Sequence, residues 1–254
     1  MIRPIQHQVG TSDLAKAEVA GFDRDRMAEL PLPGAEVHYI LFEAPMAQVL
    51  RVLPPSLHPC IPGIVAITFV KCPNGPLGPL ELALIGVGCR SGIRPRFLIT
   101  SAFVSDPAMA GTLQKSFGYP AHVAEVRTRV NYDRIRSSIV ENGRTLFDAS
   151  TTGLVTLTGS GGTVLYSPTL SLGKVGDDQR LVQSDWSADF TSVGRGEPEI
   201  EAFDAEALTH GILEPTDAIC ATLARADLVM HKPAFVLDPA RLPGEGGVTR
   251  LRAA

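Results

Sequence analysis

Leu113-Gln114-Lys115-Ser116-Phe117-Gly118-Tyr119-Pro120-Ala121-His122 is the stretch around which the chain is organised. Lys115 is one of five lysines, against eighteen arginines, and its neighbours Leu113, Phe117, Tyr119 and Pro120 are apolar or aromatic. Two readings follow. Asp106-Pro107 has the form of an N-cap followed by proline at the first helical position. A helix starting there ends near Lys115, with Gly118 as its C-terminal glycine and Pro120 just beyond. A lysine in that last turn favours the helix dipole and stays charged. The other reading is catalytic. An amine freed of its proton by desolvation or by a neighbouring cation condenses with a carbonyl to give a Schiff base.

Around this stretch the segments read mostly as strands. Glu36 to Glu43 is rich in Val, Tyr, Ile and Phe, Gly63 to Val70 is an apolar β-branched run, and Leu80 to Val87 repeats the pattern. Met46 to Leu53 places Val49, Leu50 and Leu53 on one helical face before Pro54-Pro55 stops it. Phe97 to Val104, Ala121 to Tyr132, Arg134 to Val140, Leu146 to Thr158, Leu170 to Val175, Leu181 to Phe190 and Ala234 to Leu237 read as further strands. Asn142-Gly143 is a two-residue hairpin signal, and Gly159-Ser160-Gly161-Gly162 reads as a long hairpin turn. Helical segments are expected at Asp204 to Ala207 onward and from Pro215-Thr216-Asp217 through Ala226. The expectation is a single α+β domain over 1–254, mostly antiparallel β, with a proline-rich N-terminal arm over 1–34 and a flexible tail over 239–254.

The lysine stretch is joined by two other segments in a family resemblance. Lys-Ser-Phe-Gly-Tyr-Pro at 115–120 resembles a signature of the acetoacetate decarboxylase family, read with a lysine pair ahead of Gly-Tyr-Pro. Gly78-Pro79-Leu80-Glu81 resembles a family element whose glutamate lies in the active site. Glu36 to Leu57 and Ala226 to Asp238 resemble the family's opening and closing segments, so the likeness covers about four-fifths of the chain. The resemblance implies a closed β-cone with Lys115 as Schiff-base amine and Glu81 as proton relay. It places Ser116, Phe117, Tyr119, Thr68 and Arg90 at the substrate. The chain departs from the family pattern at Ser116, where a second cation is expected, and near Ala35 and Thr68, where an arginine and a glutamate are expected. With Ser116 there, activation of Lys115 rests on burial alone.

Three functions follow. The first is a carbon–carbon lyase that decarboxylates a small β-keto acid through an iminium on Lys115. The second is an aldolase-dehydratase joining a pyruvate-like 2-oxo acid to an aldehyde through the same lysine. The third is a non-catalytic cavity holding a small carbonyl or apolar ligand. No cofactor and no metal are expected, because Cys60, Cys72, Cys89 and Cys220 lack zinc-site spacing. They read as buried free thiols of a reducing compartment. A net charge of −4 argues against nucleic acid. No apolar run reaches membrane length, and Met1 to Gly10 lacks a signal-peptide core. A cytoplasmic homo-oligomer is the resulting expectation. Arg90, Arg94 and Arg96 read either as a solvated turn or as a carboxylate clamp. The arginines at 127, 129, 134 and 136 are expected to cover an outer sheet face and pair with acids.

Overall fold

The computed structural model describes residues 19–91, 94–157, 169–242 and 247–251. Among them, sixteen strands form one mixed sheet. Its centre is built by β2 (Leu30–Glu43), β4 (Ile64–Gly75), β5 (Gly78–Ser91) and β6 (Arg94–Val104), with β14 (Ala218–Met230) on the far side of β2. One wing runs through β13 (Trp186–Phe203), β10 (Arg144–Thr156), β9 (Arg134–Glu141) and β8 (Glu125–Asn131). The other runs through β11 (Thr169–Val175), β12 (Asp178–Ser184), β15 (Phe235–Leu237) and β16 (Val248–Arg250). Pairing is antiparallel except where β11 meets β6 and β1 (Ala20–Gly21), and where β7 (Ala121–Val123) meets β6. Three short helices accompany the sheet: α1 (Met46–Val52), α2 (Pro107–Phe117) and α3 (Ala205–Thr209).

Strand alternation gives the central sheet two buried faces, each with its own apolar cluster. Ile40, Phe42, Ile67, Phe69, Ala83, Ile85 and Phe147 belong to one. Val37, Val70, Leu82, Leu84, Ile99 and Ala102 belong to the other, together with Met109, Leu113 and Phe117 of α2. Helix α2 therefore covers the second face.

Four expectations change. The sheet is not closed into a cone: its path ends at β16 on one side and β8 on the other. The segment at Leu30 is not an arm but the start of β2, paired with Met230 of β14. The stretch from Pro215 to Ala226 is not helical. Ala218 onward is β14, bonded to β2 and β13 at once, and two ladders outweigh the weak helical spacing of Ile219, Leu223 and Ala224. The tail is ordered at Val248–Arg250, which pairs with β15. The glycine run at Gly159 to Gly162, residues 1–18 of the arm, and Gly244 and Gly246 lie outside the described residues.

Local signals held. Asn142 and Gly143 both take positive φ, 51° and 78°, between β9 and β10. Arg136 forks onto Asp148 at 2.9 and 2.6 Å and also reaches Glu201 at 3.0 Å, on the exposed side of these strands. All four cysteines are free; Cys72 and Cys89 are buried, Cys60 and Cys220 half-buried. No helix among the described residues is long and apolar enough to cross a membrane.

Candidate functional site

Helix α2 forms for the reasons its sequence gives. The Asp106 carboxylate accepts from the Met109 N–H at 2.8 Å, and Pro107 opens the first turn. At the other end Gly118 is left-handed, φ 68°, so its N–H and that of Tyr119 return to Gln114 O and Leu113 O. A side chain at 118 would also crowd Ser171 Oγ at 3.3 Å and Val182 at 3.4 Å. This turn sends Tyr119 inward and Lys115 outward. Leu113 and Phe117 are fully buried. Lys115 lies two residues from each, about 200° round the helix, so its side chain faces solvent. Lys115 thus sits exposed in the last turn of α2. Ser116 is buried instead and donates to Arg26 O at 2.7 Å, anchoring the short turn Arg24–Arg26.

On the sheet face that α2 packs against lies a cavity of about 30 Å³, with no α2 residue in its wall. Ala66, Leu84, Gly86, Phe97 and Ile99 supply its apolar wall; Tyr39, Thr68, Thr169 and Trp186 supply its polar atoms. The sheet register explains this set. Tyr39 pairs with Thr68, and Thr68 with Leu84, in one cross-strand row. Phe97 pairs with Thr169, and Thr169 with Ser184, in another. Gly86 is where Phe97 and Ile99 close over the sheet: a Cβ there would sit 3.1 Å from Phe97 Cβ.

Above these rows runs a directed hydrogen-bond chain. Thr169 Oγ1 donates to Ser184 O at 3.1 Å, so the 2.6 Å contact between Tyr119 and Thr169 takes its proton from the phenol. Trp186 Nε1 donates to that phenol oxygen at 3.4 Å. Burial pushes the Tyr119 phenol up to about 12, against opposing help from Thr169, Trp186 and Ser184. Burial likewise raises Tyr39 above its usual range, with smaller contributions from Cys220 and Cys60. Both phenols remain proton donors at neutral pH. Tyr39 also stands edge-on to Phe97, with ring centroids 6.3 Å apart.

Of the residues expected from sequence, the structure places Thr68 in the cavity wall and Tyr119 one hydrogen bond from it. Phe117 packs 5.8 Å from the Tyr119 ring in the apolar layer, outside the lining. Glu81 goes to the opposite face. It pairs with Lys71 across β4 and β5, one residue out of step with Leu80, Leu82 and Leu84. Its carboxyl is raised chiefly by burial, which Lys71 at 4.0 Å opposes. Arg90 is exposed near the end of β5, and neither it nor Lys115 lines the cavity. The side chain of Arg94 lies outside the described residues. Tyr39, Thr169 and Trp186 were missed. The usable signal was a Tyr or Thr at alternate positions of otherwise apolar strands, but their convergence depends on long-range pairing.

None of the cavity-lining residues carries a formal charge, and the described residues contain no cluster of His, Cys, Asp and Glu fit for a metal ion.

Comparison with known proteins places this architecture. The structure of acetoacetate decarboxylase from Legionella pneumophila superposes with a TM-score of 0.71 at 15% identity, covering 82% of this chain and 86% of that one. The enduracididine biosynthesis enzyme MppR, complexed with the condensation product of pyruvate and imidazole 4-carboxaldehyde, gives 0.70 at 17% identity, covering 89% and 99%. An acetoacetate decarboxylase-like enzyme from Sphingomonas wittichii gives 0.61 at 16%, covering 82% and 92%. At such identities the likeness is one of fold. No protein of curated function matches the chain. The family profile for acetoacetate decarboxylase matches residues 19–239, and the chain belongs to the acetoacetate decarboxylase family.

Proposed function

We propose that this chain takes a small neutral carbonyl compound into the cavity lined by Tyr39, Thr68, Thr169 and Trp186 and holds it by hydrogen bonds, without an iminium on Lys115. The observation that carries this reading is the outward face of Lys115: the lysine is exposed, while the cavity is walled by aliphatic and aromatic groups. Among the described residues no amine lines that wall. A keto acid would bring a carboxylate into a wall with no charged side chain, and a charge buried without a partner is expensive. A ketone or aldehyde brings no charge and asks only for a hydrogen-bond donor to its oxygen.

A carbon–carbon lyase is the second reading, either a β-keto acid decarboxylase or an aldolase-dehydratase of pyruvate-like acids. Family membership favours it, as do the structures of MppR with pyruvate and with a pyruvate condensation product. It needs an amine at the substrate. Intact-mass measurement after borohydride reduction with acetoacetate, pyruvate and butanone separates the two. The binding reading expects no adduct on the peptide carrying Lys115. A reduced adduct there, lost in Lys115→Ala, establishes the lyase reading in its place.

A further inference from the structure

The cavity face carries hydroxyls without a hydrogen-bond partner among the described residues. Thr222 of β14 stands directly across from Tyr39, which in turn stands across from Thr68. The Thr222 side chain is 7% exposed, yet its Oγ1 makes no hydrogen bond. Thr68, 9% exposed, lines the cavity and is likewise without a side-chain hydrogen bond among the described residues. In the second row Ser184 is fully buried; its Oγ lies close enough to Tyr119 to favour the phenolate, yet forms no hydrogen bond of good geometry. A buried hydroxyl left unpaired is destabilising, and most such groups in native proteins have a partner. Thr68 lines the cavity, Thr222 and Ser184 stand one strand over from its lining residues Tyr39 and Thr169, and Ser56 Oγ, also unpaired, lies elsewhere.

Resting on the neutral-carbonyl reading above, we infer that the ligand is itself hydroxylated: a neutral hydroxyketone or hydroxyaldehyde of about three carbons, lying along the row Thr222–Tyr39–Thr68. Size agrees. The cavity of about 30 Å³ has room for roughly two or three waters, the liquid volume of a compound of that size. Charge agrees as well, since a polyhydroxylated neutral molecule uses threonine hydroxyls as both donors and acceptors and needs no cation. The cation nearest in register to this row is Arg195, opposite Thr222 on β13, and its side chain is exposed. The same arrangement explains why the wall is not apolar throughout. A cavity for acetone or a hydrocarbon would gain nothing from Thr68 or Thr222.

Trp186 is the chain's single tryptophan and lines the cavity, so its emission reports occupancy. The experiment titrates the full chain with dihydroxyacetone, acetone and pyruvate, following Trp186 emission and ligand-observed NMR in parallel. Thr68→Val and Thr222→Val, which keep side-chain volume, are measured beside the wild type, with thermal unfolding to check their folds. Dihydroxyacetone should bind at least about 5- to 10-fold tighter than acetone, the worth of one or two net hydrogen bonds. Each variant should erase most of that gap. Equal affinity for dihydroxyacetone and acetone, or a gap that survives both variants, overturns the hydroxylated ligand and leaves the carbonyl site standing. Tightest binding by pyruvate, or no binding of any of the three by either method, overturns the site reading as well.

Discussion

His38 and Tyr39 are neighbours on β2, and they show how differently one strand can use its two sides. His38 points to the face away from α2. It is fully buried, with Nδ1 2.8 Å from Ser137 Oγ and Nε2 2.9 Å from Thr151 Oγ1; Ser137 in turn meets Thr128 Oγ1 at 3.0 Å. Each of these polar side chains is paired, and the Phe69 ring stacks on the imidazole at 6.3 Å. Tyr39 points to the cavity face, where Thr222 Oγ1 has no partner and Thr68 makes no side-chain hydrogen bond among the described residues. A closed polar network holds strands in register, because each member would be stranded if another moved. An open one leaves hydroxyls able to pair with a ligand. The difference separates a closed structural cluster from the face proposed to take a ligand.

Acid should break the closed side with the largest effect. Burial lowers His38 from the ordinary 6.5 to about 3. The unfolded chain therefore takes up a proton that the folded chain refuses. The stability due to neutral His38 is complete above about pH 6.5 and is lost as pH falls toward 3, at about 1.4 kcal/mol per unit. Urea unfolding across this range should show that slope, and His38→Leu should flatten it. An unchanged slope in the variant would mean that other groups govern acid unfolding.

At neutral pH the same substitution should cost about 1–3 kcal/mol, because it leaves Thr151 buried without its partner and Ser137 with Thr128 alone. Denaturant melts read this directly, and a loss below about 1 kcal/mol would show the network to be looser than its distances. The open side should behave in the reverse way. Removing the unpaired hydroxyl in Thr222→Val should change stability by no more than about 1 kcal/mol, and toward greater stability. A loss comparable to that of His38→Leu would mean Thr222 has a structural partner after all.

Much of this fold could be read from the sequence where the chemistry is local. Asp106, Pro107 and Gly118 marked both ends of α2, and Asn142-Gly143 marked its hairpin, because caps and tight turns are decided by a few adjacent residues. The family likeness was legible in the same local segments. The facing of side chains was harder. Lys115 shares a motif with Tyr119, but the helix turns one out while the left-handed Gly118 turns the other in. Glu81 sits one step out of phase with Leu80, Leu82 and Leu84, and parity alone decides that it meets Lys71 rather than the cavity. The misread helix near Ile219 and Leu223 became a strand because β2 and β13 bond it on both sides. The cavity wall joins residues from Tyr39 to Trp186, and only the sheet register brings them together.

The central claim is that the cavity, and not Lys115, receives the ligand. The most direct measurement compares the affinity for dihydroxyacetone in Ala66→Leu, which fills the cavity from its wall, with that in Lys115→Ala, both followed through Trp186. Binding should be abolished in Ala66→Leu and unchanged in Lys115→Ala. Retained binding in the first, or its loss in the second, would contradict the account.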